Sequence, residues 1–155
     1  MKILIVFYSR TNTTKKIAQE LAGQLGADTE EIISVKNYQG PFGYLAAGRE
    51  ATLKKPAKIQ PTIKNPADYD LVIIGTPIWS FNVSSPVRAY LKQNKNNFKK
   101  AAFFCAMGGS GDKKAFAEME NICGQKPLAT LTLLTKEVIE NKYLEKLKEF
   151  LEKIS

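Results

Sequence analysis

The chain has 155 residues, of which 44% are hydrophobic, and carries a formal charge of +8 from 23 Lys and Arg against 15 Asp and Glu. That length suits a single domain, residues 1–155, with a core of its own, and no apolar run approaches the roughly 18 residues that a membrane-spanning helix needs. Histidine is absent altogether, which excludes Ser-His-Asp and Cys-His catalysis, histidine-ligated zinc or haem iron, and any imidazole proton shuttle.

Two cysteines, Cys105 and Cys123, stand in no metal-type spacing. They fit a reduced cytoplasmic chain without a structural metal, and read as buried, inert thiols. The positive balance raises nucleic acid as a partner, but Lys54, Lys55, Lys58 and the lysines of 92–100 are not interleaved with aromatics as a stacking platform requires. They read as solvated surface.

Taken in order, Ile3 to Phe7 is a continuous apolar run followed by Tyr8, Ser9, Arg10, Thr11 and Asn12. It reads as a buried strand and not as a leader peptide, which would carry a longer apolar stretch and a small-residue cleavage site. Thr13 to Leu25 has Ile17, Leu21 and Leu25 at four-residue spacing, a helix that Gly26 stops. Glu31 to Val35 predicts a second strand near an edge, and Phe42 to Leu53 a second helix. Leu71 to Gly75 is the clearest central strand, and Ser85 to Gln93 is a helix with Pro86 in its first turn. Ala101 to Cys105, Lys113 to Cys123 and Leu128 to Leu134 predict strand, helix and strand. One last helix covers about Glu137 to Lys153, with Tyr143, Leu147, Phe150, Leu151 and Ile154 on one stripe.

Strands alternating with amphipathic helices define an α/β protein with three layers, a doubly wound five-stranded parallel sheet of expected order 2-1-3-4-5. Ligands on such sheets bind beyond the carboxyl ends of the strands, beside the first strand. Three loops leave strand ends there.

The first, Ser9-Arg10-Thr11-Asn12-Thr13-Thr14, opens a helix and is rich in hydroxyls. Helix N–H groups and a positive dipole end make it a cup for a phosphate. Neither a Rossmann glycine fingerprint nor a P-loop is present. The second, Thr76-Pro77-Ile78-Trp79-Ser80-Phe81-Asn82-Val83, holds the only Trp of the chain. If the loop covers the sheet edge, an indole there has no core to enter and can stack on a planar heterocycle; the alternative is a Trp packed against a neighbouring helix. The third, Ala106-Met107-Gly108-Gly109-Ser110-Gly111-Asp112, has three glycines, which permit positive φ and close backbone approach. A phosphate at one end and a flat ring at the other describe a mononucleotide.

On these residues the chain resembles a flavodoxin over almost its whole length. The first loop is similar to the family's phosphate loop, roughly Ser/Thr-x-Thr-Gly-x-Thr. Gly75-Thr76-Pro77-Ile78-Trp79 with Ser85-Pro86-Val87 resembles the first flavin loop and the helix after it. Met107-Gly108-Gly109-Ser110-Gly111 resembles the second flavin loop, and Phe42 to Ala51 a segment common in proteins of this kind and size. The resemblance implies non-covalent FMN and the short-chain form, since the last strand carries no long insertion. It implies that Ser9, Thr11, Asn12, Thr13 and Thr14 cradle the phosphate, with Arg10 adding a charge beside it. Trp79 would stack on the flavin, with Thr76, Pro77, Ile78, Phe81 and Asn82 shaping that side. Gly108, Gly109 and Ser110, in the loop that Met107 and Gly111 bound, would approach the pyrimidine edge with backbone amides, and the second ring face would be covered by Met107 or stay exposed.

Three departures stand out: Asn12 where the family has Gly, acceptable because Asn also visits left-handed φ; Arg10, a full charge where the family mostly relies on neutral donors; and no Tyr in the third loop to cover the second flavin face. The function implied is electron carriage between redox enzymes, with partners presenting acidic docking surfaces to this basic chain. The alternative is an NAD(P)H- or quinone-dependent FMN oxidoreductase on the same fold.

Overall fold

All five side chains of β1 (Ile3–Phe7) are buried, as a strand apolar on both faces requires when helices cover both sides of the sheet. The structure, a computed structural model, describes residues 1–155. After β1 come α1 (Thr13–Leu25), β2 (Asp28–Glu31), α2 (Gly40–Thr52), β3 (Leu71–Trp79), β4 (Asn82–Val83), α3 (Ser85–Gln93), β5 (Ala101–Met107), α4 (Asp112–Cys123), β6 (Thr130–Leu134), α5 (Thr135–Ile139) and α6 (Leu144–Ile154).

The parallel sheet runs β2-β1-β3-β5-β6, with β4 paired to β3 alone. Setting that two-residue strand aside, this is the expected 2-1-3-4-5 order. Two cores flank the sheet. Leu4, Val6, Val72, Ile74 and Phe103 face one side with Ala47 and Ala51 of α2, Val87, Tyr90 and Leu91 of α3, and Met119 and Cys123 of α4. Ile3, Ile5, Phe7, Ile73 and Phe104 face the other, against Ile17 and Leu21 of α1 and Leu147, Phe150 and Ile154 of α6. The alternation of side chains along each strand sorts the residues between these two layers.

Four elements differ from expectation. The edge strand β2 is Asp28–Glu31, not 31–35; its partner in register is Leu4 to Phe7 of β1. Ser34 instead bridges Ile59 across an antiparallel crossing. Second, β3 continues to Trp79 and turns into β4 through Ser80 (φ 48°) and Phe81 (φ 64°). Two central residues at positive φ form the mirror-image turn that matches strand twist, so Trp79 lies on a strand, in register with Asn82. Third, β5 runs on to Met107. Fourth, the last helix is two. Asn141 takes φ 56° and Lys142 N–H donates back to the Glu137 carbonyl, ending α5 before α6 begins.

Both cysteines are buried and unpaired. Burial pushes the Cys105 thiol up to about 12, and raises Cys123 as well.

Candidate functional site

Parallel register brings the strand ends together: Phe7 lies beside Gly75, Pro77 beside Ala106, and Met107 beside Leu134. The loops leaving β1, β3 and β5 therefore meet at one edge, where a cavity of about 140 Å³ opens. Its walls are Arg10, Thr11, Thr13, Thr14, Tyr44, Pro77, Ile78, Trp79, Ala106, Met107, Gly108 and Thr135.

At the first loop, Asn12 adopts φ 67° and ψ 0°, the left-handed conformation expected of it, and its side chain caps nothing. The turn leads directly into the first N–H groups of α1. Those of Thr13 and Thr14 have no intrahelical acceptor, and no acidic side chain stands in that turn. Ser9 serves the helix itself, its Oγ accepting from Lys15 N–H at 3.2 Å. Arg10 is committed elsewhere. Its Nε donates to the Tyr38 carbonyl at 2.8 Å, Nη2 reaches the Gly40 carbonyl at 3.4 Å, and the guanidinium lies 5.3 Å from the Tyr44 ring centre. Gln39 returns the link, its Nε2 donating to the Arg10 carbonyl at 2.6 Å. The phosphate-type loop and the entry to α2 are thereby interlocked.

Gly43 makes that interlock feasible. A Cβ there would stand 2.2 Å from the Tyr38 carbonyl carbon, so only glycine lets α2 start so close to Tyr38. The Tyr38 hydroxyl donates in turn to Glu50 Oε2 on the next turns of α2. Burial and that carboxylate raise the Tyr38 pKa. Partial burial pushes Glu50 upward too, but hydrogen bonds from Lys36, Tyr38 and Ser85 outweigh it and hold the carboxyl below its ordinary value.

The second loop corrects the reading of Trp79. The indole has a core to enter and is 8% exposed. It packs edge-on to Tyr8, with ring centres 5.5 Å apart at 89°, and tilted against Tyr38 at 5.0 Å. It also lines the cavity. Tyr8, in that cluster, has its phenol pushed up to about 12 by burial and by Tyr38. Thr76 is fully buried, and its hydroxyl is spent inside the hairpin: it accepts from Ser84 N–H at 3.1 Å and lies 3.0 Å from Ser84 Oγ. Asn82 is also buried, its Nδ2 donating to the Ser80 carbonyl at 2.6 Å. Phe81 is 60% exposed and does not line the cavity.

In the third loop only Gly111 has positive φ, 110°, and a Cβ there would lie 2.7 Å from Phe81 Cα. It fits the third loop against the hairpin turn. Gly108 and Gly109 face open space, so their freedom is not demanded by the fold. Thr135, at the start of α5, donates from Oγ1 to the Met107 carbonyl at 3.2 Å and fixes that strand end.

Of the residues singled out from sequence, the cavity thus gathers Arg10, Thr11, Thr13, Thr14, Pro77, Ile78, Trp79, Met107 and Gly108. Ser9, Asn12, Thr76, Asn82 and Gly111 build its frame. Gly109 and Ser110 are exposed beyond it. Sequence reasoning missed Tyr44 and Thr135. Tyr44 sits on a helix where an aromatic gives no signal by itself, and only the Arg10 contact places it at the site.

The sequence pattern of the flavodoxin family matches residues 2–154. The chain belongs to that family. Solved structures share its fold at low identity. The flavoprotein of Lactobacillus acidophilus, crystallised in complex with FMN, superposes with a TM-score of 0.74 at 23% identity, covering 90% of this chain and 97% of that one. A candidate flavoprotein of Bacteroides uniformis gives 0.76 at 22% identity, covering 94% and 97%. An NADH:FMN oxidoreductase in its apo form gives 0.58 at 14% identity, covering 99% and 87%. No curated protein sequence matches the chain.

Proposed function

We propose that this flavodoxin binds FMN non-covalently and carries electrons between redox enzymes. The observation that carries the reading is the cavity itself, where the threonines that open α1, Thr11, Thr13 and Thr14, share one lining with Tyr44, Ile78 and Trp79 at the carboxyl edge of the sheet. The residues fit the group. Thr11, Thr13 and Thr14 would hold its phosphate at the α1 N-terminus. Tyr44 offers the accessible aromatic ring, being 65% exposed, while the buried Trp79 forms the floor. Gly108 and Gly109, with nothing standing over their Cα atoms, leave backbone accessible to a ring edge.

Arg10 acts on this arrangement as a strut. Its guanidinium is held by two carbonyls, so its charge favours the phosphate through space while its contacts fix Tyr44. The cavity volume lies below the roughly 300 Å³ at which pockets begin to enclose whole ligands, so a planar ring would lie partly open at the rim. That opening supports exchange with a partner surface. Bound FMN supplies the electron-transfer chemistry; the chain supplies position, exclusion of water on one side, and a basic field suited to acidic partners.

Turnover distinguishes this from the alternative, an FMN oxidoreductase consuming NAD(P)H or quinones. The FMN-loaded protein, mixed with NADH or NADPH and a soluble quinone, is expected to oxidise essentially none of the nicotinamide. Sustained multiple turnover would replace the carrier reading with the enzymatic one.

A further inference from the structure

A second and larger cavity, about 330 Å³, opens between α2 and the β3–β4 hairpin. Tyr44, Ile78 and Trp79 line both cavities, so the two share a wall. The remaining walls include Leu45 and Ala47 of α2, and at its polar side stand Arg49, Thr52 and Ser80.

The polar side is asymmetric. The Thr52 hydroxyl is already used, donating to the Gly48 carbonyl at 2.8 Å. Neighbouring Glu50 is engaged by Lys36, Tyr38 and Ser85. Arg49, an exposed side chain, makes no side-chain hydrogen bond and no ion pair, whereas Arg10 is held by two carbonyls and Arg88 by Glu118. An unpaired, fork-shaped donor at the edge of an apolar, aromatic-walled cavity matches a flat hydrocarbon body that ends in a carboxylate, which it can grip with two parallel hydrogen bonds. At this volume the cavity admits a one- or two-ring body.

We infer that the cavity between α2 and the β3–β4 hairpin is a binding site for a small aromatic carboxylate, held by Arg49 and packed against Tyr44, Ile78 and Trp79. The site stands on its own residues. Only its position beside a cofactor rests on the FMN reading.

The test is isothermal titration with 2-naphthoate and, as the uncharged match in shape, 2-naphthamide, on FMN-free and FMN-loaded protein. Naphthoate is expected to bind both forms, and naphthamide at least tenfold more weakly. Arg49→Gln should lose at least tenfold in naphthoate affinity and leave naphthamide unchanged, Arg49→Lys should recover part of the loss, and both variants should take up FMN as the parent does. In the loaded protein, naphthoate should also shift the visible flavin band through the shared wall. Failure of naphthoate to bind, equal binding by Arg49→Gln, or equal binding of the amide overturns the inference. So does FMN abolishing naphthoate binding, which would show that the cofactor's own ring fills the cavity. A chain that binds naphthoate but not FMN keeps this site and loses the cofactor reading. One that binds FMN but not naphthoate does the reverse.

Discussion

At the hairpin tip two side-chain-bearing residues, Ser80 and Phe81, both hold positive φ, where L-residues other than glycine lose about 1–2 kcal/mol each. Phe81 gains little in return from burial, since it is 60% exposed. An exposed aromatic kept on a strained turn beside the candidate site fits a surface that meets another molecule. Phe81→Gly is therefore expected to stabilise the fold by about 1 kcal/mol, the relief of strain exceeding glycine's extra unfolded-state entropy. A urea midpoint that stays put or falls would show that the ring contributes packing after all. The same turn explains why the hairpin was not legible in the sequence. Its tip lacks the Asn-Gly or Asp-Gly signal, so Trp79 read as a loop residue free to stack on a ligand. Asn12 is the opposite case: a residue type that tolerates left-handed φ, in a position the phosphate-type loop defines, and the structure gives it 67°.

Among the elements, the strongly periodic ones were legible and the weakly apolar ones were not. β1, β3 and β5 are apolar on both faces because helices cover both, and no other placement suits such runs. β2 is Asp-Thr-Glu-Glu, polar throughout, and is a strand only because β1 offers its backbone as a partner. The apolar Ile33 and Val35 that suggested a strand further on are exposed, at 51% and 58%. Tertiary pairing overrode propensity there. Helices α3 and α4 are joined by a link that periodicity also hides. Arg88, 4% exposed, pairs with Glu118, whose other oxygen lies 3.7 Å from Lys54. Glu118→Gln keeps the shape and leaves a buried guanidinium uncompensated, with an expected loss of about 3 kcal/mol. Denaturant unfolding checks this, and a change below ~1 kcal/mol would place the pair effectively in solvent.

Over the whole molecule the +8 balance sets the electrostatics of the candidate site. No helix is long and apolar enough to cross a membrane, and the lysines occupy exposed positions on many elements. One charge 10 Å from a bound flavin contributes about 0.4 kcal/mol in water, so several together favour the electron-rich reduced form appreciably. Because such charges are screened over roughly 10 Å at 0.1 M ionic strength, the reduction potential of the FMN-loaded protein should become more negative as salt is raised. A potential independent of ionic strength would remove the charge from the account of how this chain tunes its cofactor.

The three loops at the carboxyl edge of the sheet are proposed to hold FMN. This is tested most directly by titrating FMN into the purified FMN-free protein while following flavin emission and the emission of Trp79, the only Trp in the chain. Saturation at one equivalent is expected, with flavin fluorescence quenched by Tyr44 and Trp79 emission reduced, since both residues line the cavity. Flavin emission that continues to rise as it does in buffer, with Trp79 unchanged, would contradict it.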